Sequence, residues 1–183
     1  LTGAAPVPPD LIRWFLTCGI ELREAFGMTE TTGFCTATPT GGIRLGWAGL
    51  RAEGTEIRIG ADNEILVRGP NVFAGYWGQP DKTAETVDAE GWLHTGDVAQ
   101  WVRGPEGDEV RIVDRKKDIM ITAGGKNITP SEIENAMKFS AYIKEAIVVA
   151  DRRHFVSALI QIDFDTVGKW AEEQGLAYTH FRS

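Results

Sequence analysis

At 183 residues, with 43% hydrophobic and 25% charged residues, the chain carries enough apolar material to bury one or two cores, as an ordinary globular protein does. A formal net charge of −7 argues against a nucleic-acid partner, because phosphate neutralisation needs a basic face that this composition does not supply. Two cysteines without a CxxC spacing argue against a disulfide framework and suit a reducing, cytosolic setting, and no apolar run approaches the roughly 20 residues of a membrane span.

The stretch Leu1 to Pro6 has no initiator Met and no signal-peptide charge pattern, and reads like a strand end entering a loop. The chain is therefore expected to be a piece of a longer protein. Leu11, Ile12, Trp14, Phe15 and Leu16 have the spacing of a short buried helix ended by Gly19, which would place Cys18 in the core beside its end. Ile20, Leu22, Ala25 and Phe26 predict a strand that delivers Thr29, Glu30, Thr31 and Thr32 to a loop flanked by Gly27 and Gly33. Hydroxyls with one carboxylate suit phosphate oxygens and a divalent cation; a polar turn with a helix cap is the alternative. Residues 36–49 read as loop.

Ile57 and Ile59 alternate with Glu56 and Arg58, and Ile65 and Val67 with Glu64 and Arg68, across Gly60-Ala61-Asp62-Asn63. That pattern predicts a hairpin. Residues 81–85 suit a single helical turn. Asp97 follows Gly96, where a carboxylate could accept both hydroxyls of a ribose; an aspartate bonded to its own turn backbone is the alternative. Ala99, Trp101 and Arg103 pair with Val110 and Ile112 as a second hairpin, and hairpins in series predict a small barrel or curled sheet. Residues 114–131, a charged knot followed by a short apolar run and a Gly-Gly loop, mark a joint between two bodies. Beyond it, Thr129, Pro130 and Glu132 form a capping box for a helix to about Phe139 with Ile133, Ala136 and Met137 as its core stripe. Strands over 143–150 and 156–162 and a helix capped by Asp165 complete an αββα order lacking a final element. The three histidines show no metal-ligand spacing and read as structural or surface groups.

Four stretches, in order, carry a resemblance: Gly3-Ala4-Ala5-Pro6, Phe26-Gly27-Met28-Thr29-Glu30, Trp92-Leu93-His94-Thr95-Gly96-Asp97, and Asp114-Arg115-Lys116-Lys117-Asp118 continuing to Gly124-Gly125-Lys126-Asn127. Together they resemble the adenylate-forming (AMP-binding) acyl-CoA synthetase superfamily, and residues 121–134 and 142–162 look most like its long-chain fatty acid CoA ligase branch. The resemblance implies an α+β fold: the end of a large AMP-binding domain with an antiparallel β-barrel-like subdomain over 1–114, a hinge at 115–117, and an incomplete two-layer α/β lid over 118–183. It implies an ATP-dependent acid-thiol ligase that adenylates a long-chain fatty acid and passes the acyl group to CoA, with ATP, Mg2+ and CoA as cofactor and co-substrates. A cytoplasmic enzyme with peripheral membrane contact and no membrane-spanning segment is implied; oligomeric state is not.

Residue by residue, the resemblance places Ala4, Ala5 and Pro6 beside the adenine. Phe26 stands where the family usually has tyrosine, keeping the stacking ring without the hydroxyl. Gly27 and Met28 belong to the same nucleotide loop, Thr29 meets the α-phosphate, and Glu30 binds Mg2+. Asp97 holds the ribose hydroxyls and Arg115 reaches the ribose or phosphate. Lys117 is the hinge, Lys126 serves the nucleotide, and Ala123 and Gly124 make way for CoA. The family's glycine, serine and threonine rich phosphate loop and its adenylation lysine do not occur in these residues, so the chain alone is expected to be inactive. A nonribosomal adenylation domain, an acyl-AMP ligase, a luciferase-like oxidase or a non-catalytic nucleotide-binding homologue would share the nucleotide residues.

Overall fold

The computed structural model describes residues 1–3, 7–104 and 107–176, and Ala4, Ala5 and Pro6 lie outside this set. The chain divides into two compact units, Leu1–Ile119 and Met120–Ser183.

The first unit is organised by seven antiparallel strands. Strands β1 (Ala25–Phe26), β2 (Thr36–Ala37) and β3 (Leu50–Arg51) form one short sheet with β2 central. Strands β4 (Glu56–Ile59), β5 (Glu64–Arg68), β6 (Leu93–Arg103) and β7 (Asp108–Arg115) form a second sheet in sequence order. Ala48 donates to Val110 O at 2.8 Å and Val110 donates to Gly49 O at 3.1 Å, so the chain entering β3 is stitched to the outer edge of β7. The two sheets thereby curl into one antiparallel surface, with fewer open edges than either would have alone.

Both hairpins sit where the alternation places them: Ile57 pairs with Val67, and Trp101 with Val110. The alternation understates β5, however. Ile65, Leu66 and Val67 are all buried, because β5 is a central strand covered on both faces. Cys35, Ile65, Val67, Leu93, Ala99 and Val110 make the core of the unit, with Phe26, Met28, Ile59 and Phe73 packed against it. Burial of side chains of this size stabilises by about 1.5–3 kcal/mol each.

Several expectations are corrected. Helix α1 (Pro9–Thr17) forms and is followed by Gly19 at φ +75°, but only Ile12 is buried; Trp14 is 58% exposed, so the helix lies on the surface. Cys18 is exposed and Cys35 is the core cysteine. The strand after α1 is reduced to Ala25 and Phe26. The loop over 36–49 contains β2, which hydrogen-bonding to β1 and β3 imposes on a sequence rich in turn formers. Helix α2 (Pro80–Thr86) is longer than one turn.

The second unit begins with a small hairpin that the apolar run 119–121 did not reveal, β8 (Met120–Ile121) against β9 (Asn127–Ile128). Helix α3 (Pro130–Lys138) packs on β10 (Ile143–Val149), which pairs with β11 (Ser157–Ile162) before helix α4 (Phe164–Glu173). Ile128, Val148 and Ala150 are its buried core, with Met120 and Ile133 against them. Ala136 is exposed rather than part of the stripe. The Thr129 side chain makes no capping hydrogen bond, and the cap of α4 is Asp163, whose carboxylate accepts from the Thr166 N–H at 2.9 Å, two residues before the expected Asp165. Among the described residues, no helix is long and apolar enough to cross a membrane.

Candidate active site

The loop after β1 is built to a tight tolerance. Thr29–Thr31 form one 3₁₀ turn, closed by Gly33 donating to Met28 O at 2.8 Å and Cys35 donating to Phe26 O at 2.8 Å. A Cβ at Gly27 would overlap the Gly33 carbonyl, so this position needs glycine for close backbone approach. Gly27→Ala is expected to destabilise the full-length protein by about 1–3 kcal/mol, read by denaturant unfolding; an unchanged midpoint would show that the loop relaxes freely. Within the turn, Thr31 is fully buried: its hydroxyl donates to Met28 O at 3.0 Å, and the Met28 N–H approaches its oxygen at 3.0 Å.

This anchoring leaves Thr29 exposed and Glu30 half-buried at the mouth of the loop. The Tyr76 hydroxyl donates to Glu30 Oε1 at 2.6 Å, and the Phe73 N–H donates to Glu30 O at 2.8 Å. Hydrogen bonding to Glu30 and burial push the Tyr76 hydroxyl pKa above its usual value, keeping it the donor of the pair. One Glu30 oxygen is thus oriented by Tyr76. A single oriented carboxylate suits a cation that takes one protein oxygen and fills its remaining positions with phosphate oxygens and water, the habit of Mg2+. No group of three or more candidate metal ligands occurs among the described residues, so an all-protein metal cage is not what this loop offers. Phe26 is half-buried against the core cluster.

The second part of the site is a bulge in β6. Leu66 faces His94 and Glu64 faces Val98, so four steps along β6 oppose two along β5. Gly96 takes φ +73°, which a side chain would resist, and the extra residues swing out of the ladder. Thr95 donates to Ile65 O at 2.9 Å, and the Asp97 N–H donates back to Thr95 Oγ1 at 3.1 Å. Asp97 is therefore a strand residue, 8% exposed, paired with Arg115 across β7. The turn aspartate of this segment is Asp88, whose carboxylate accepts the Glu90 and Trp92 N–H groups at 2.9 Å each. Arg115 Nε lies 3.6 Å from Asp97 Oδ1, with the guanidinium side chain 73% exposed. Burial pushes the Asp97 carboxyl above the usual range; Arg115 pulls it down, while Asp114, Glu64 and Asp118 add to the rise. Burial prevails because Arg115 is mostly in water, where its attraction is screened.

Both parts lie in the first unit. Cys35, beside Thr31 in the core, feels the negative charge of Asp97, and burial with that charge raises its thiol pKa against the hydrogen bond from Thr31. Lys117 stands exposed in the turn 116–118, where Asp118 and Ile119 donate to Arg115 O at 2.9 and 3.2 Å. In the second unit, residues 122–126 form the β8–β9 turn. Thr122 donates to Lys126 O at 3.0 Å, Lys126 N–H to Thr122 Oγ1 at 3.0 Å, and Ala123 to Arg153 O at 2.9 Å. Gly124 and Lys126 are exposed on it, and a Cβ at Gly124 would meet nothing nearer than 4.0 Å.

Two contributors were not read from the sequence. Tyr76 looked like one aromatic in a glycine-rich loop, and Glu64 looked like an outward residue of an alternating strand. Glu64 is in fact 7% exposed. Its only sequence signal is a carboxylate directly before the apolar run Ile65-Leu66-Val67.

The model of the AMP-binding enzymes matches residues 1–77, and that of the AMP-binding enzyme C-terminal domain matches residues 117–177. The chain belongs to the AMP-binding enzyme family. It is 40% identical over 177 residues to fadD11 of Mycobacterium tuberculosis, covering 96% of this chain and 30% of that protein. It is 34% identical to the long-chain-fatty-acid–CoA ligase FadD15 of Mycobacterium bovis (94% of this chain, 28% of the relative) and to human long-chain-fatty-acid–CoA ligase 6 (98% and 27%). The chain thus spans under a third of the length of these relatives. Among solved structures, the O-succinylbenzoate CoA synthetase of Bacillus subtilis in complex with AMP superposes with a TM-score of 0.74 at 28% identity, covering 96% of this chain and 39% of that one. ATP-bound MatB from Rhodopseudomonas palustris gives 0.73 at 31% identity, covering 96% and 38%.

Proposed function

We propose that the full-length protein carrying this chain is an ATP-dependent acid-thiol ligase that converts a long-chain fatty acid and CoA to acyl-CoA, AMP and pyrophosphate. The observation that carries this reading is the buried Asp97, aimed by a bulge and faced by Arg115, in a chain whose relatives are named fatty-acid CoA ligases.

In this reading Asp97 accepts both ribose hydroxyls, since an ionised carboxylate has acceptor capacity for two donors. Arg115 supplies a fixed positive charge over the ribose or phosphate. Phe26 offers a ring face to adenine, with Gly27 and Met28 keeping the loop close. Thr29 donates its hydroxyl to the α-phosphate. Glu30, oriented by Tyr76, would hold Mg2+, which when bound offsets the phosphate charge; one of the superposing Bacillus subtilis structures contains ATP and a magnesium ion. The fatty-acid carboxylate oxygen attacks the α-phosphorus, the bond to the bridging oxygen breaks, and pyrophosphate departs with the electron pair. The charge developing on the α-phosphate is met by Thr29 and Arg115. In the second half-reaction the CoA sulfur attacks the acyl carbon and AMP leaves. The loop of Ala123, Gly124 and Lys126 serves that step, with Gly124 giving the pantetheine arm room and Lys126 serving the nucleotide. Lys117 is the pivot between residues 1–114 and the lid over 118–183. Both cysteines are free, which supports a cytoplasmic setting, with membrane contact confined to the surface.

The test is product analysis: the full-length protein given ATP, Mg2+, palmitate and CoA should release AMP and acyl-CoA in equal amounts. Pyrophosphate and acyl-AMP without acyl-CoA would redirect the reading to an acyl-AMP ligase. Glu30→Gln is expected to raise the Mg2+ concentration for half-maximal rate by about ten-fold, and an unchanged titration would take Glu30 out of the metal site.

A further inference from the structure

Glu64 is buried at the start of β5, yet the chemistry above makes no use of it. Its two carboxylate oxygens are divided between two working parts. Oε1 accepts the Gly96 N–H at 2.9 Å, one residue before Asp97. Oε2 accepts from Lys116 Nζ at 3.2 Å, one residue before Lys117. Lys116 is gripped again by the Asp62 carboxylate, and its N–H donates to Gly96 O at 2.8 Å. His94 Nδ1 approaches Glu64 Oε2 at 3.6 Å.

The placement has a physical reason. At the bulge, residues 95–97 lose their ladder partners on β5. A backbone N–H left unpaired there would cost free energy, and the Glu64 side chain replaces the missing strand. The same carboxylate would be costly to bury without donors, and the Gly96 N–H and the Lys116 ammonium supply them. Each partner therefore holds the other in place.

We propose that Glu64 is a positioning residue for both half-reactions: it fixes the bulge that aims Asp97 at the ribose, and it clamps Lys116 to the first unit so that rotation is confined to Lys117 and beyond. This rests on the ligase reading above. Glu64→Gln gives the Gly96 N–H a neutral, weaker acceptor in place of the charged one and leaves Lys116 without this anion, and Lys116→Met keeps the stem but loses the ammonium. Because Glu64 reaches the hinge only through Lys116, the slowing caused by Glu64→Gln should not add to that caused by Lys116→Met.

The experiment measures ATP and fatty-acid KM values and single-turnover thioester formation for the full-length protein and the variants E64Q, K116M and the double. Glu64→Gln should raise the ATP KM about ten-fold, leave the fatty-acid KM within about two-fold, and slow thioester formation about five-fold. Lys116→Met should slow thioester formation about five-fold with the ATP KM unchanged, and the double variant should be no slower in that step than either single. Equal rises in both KM values, or a double variant in which the two slowings multiply, would overturn the inference while leaving the ligase reading intact. If Glu64→Gln does not fold, unaltered thioester formation in Lys116→Met overturns the clamp by itself. Wild-type protein inactive in both half-reactions would overturn the ligase reading and this inference together.

Discussion

Asp97→Ala should raise the KM for ATP by about 100-fold, the loss of two hydrogen bonds to a charged acceptor, while the fatty-acid KM stays within a factor of about two. Steady-state kinetics with each substrate varied in turn checks this, and equal loss for both would show a folding defect instead. The same residue sets a pH dependence. The Asp97 carboxyl titrates above its ordinary 3.8, first because it is buried, then because Asp114, Glu64 and Asp118 repel its charge, with Arg115 opposing. Between the unfolded and folded values the native chain keeps a proton that the unfolded chain has released. The stability contribution of Asp97 is therefore present at low pH and lost as pH rises through that window. At neutral pH the ionised, buried carboxylate costs stability that the ribose hydroxyls would offset. Asp97→Asn should accordingly raise Tm at neutral pH while weakening ATP binding, and should lack the decline of ATP affinity expected of the wild type as Asp97 protonates in acid. A Tm that falls on Asp97→Asn would mean that the carboxylate is anchored by interactions stronger than its burial cost.

Lys117→Pro should separate the half-reactions. The ring fixes φ at 117 and restricts Lys116, in a turn whose amides at 118 and 119 already bond to Arg115 O. Thioester formation should fall by about ten-fold or more, a barrier increase of at least about 1.4 kcal/mol, while fatty-acid-dependent pyrophosphate exchange stays within about three-fold. Parallel loss of both would refute a pivot at this position. Since Lys116 is tied to Asp62 and Glu64 while Lys117 stands free of that clamp in the exposed turn, the bend is expected at 117 and not a residue earlier.

Much of the fold was legible because local signals and tertiary demands agreed. The hairpin of β4 and β5 was marked by alternation and by Asn63, which takes φ +63° in its turn, and the joint was marked by a change in composition within a few residues of the division after Ile119. What was not legible depends on partners far along the chain. β2 exists because β1 and β3 bond to it, and α1 shows an amphipathic pattern without a buried face, since periodicity reports which residues are apolar and not what covers them. Both Asp163 and Asp165 suit a cap, and only geometry chooses Asp163. Of the candidate site, Thr29, Glu30, Asp97 and Arg115 were named through the order of motifs. Glu64 and Tyr76 were missed because their roles arise at contacts 32 and 46 residues away in the chain.

The most direct measurement is fatty-acid-dependent exchange of labelled pyrophosphate into ATP by the full-length protein in the absence of CoA. A reaction that passes through an acyl-adenylate gives exchange that requires the fatty acid and needs no thiol, and that is lost in Asp97→Ala at subsaturating ATP. Exchange that requires CoA, or none at all from a protein that still makes acyl-CoA, would contradict the adenylation chemistry assigned to this site.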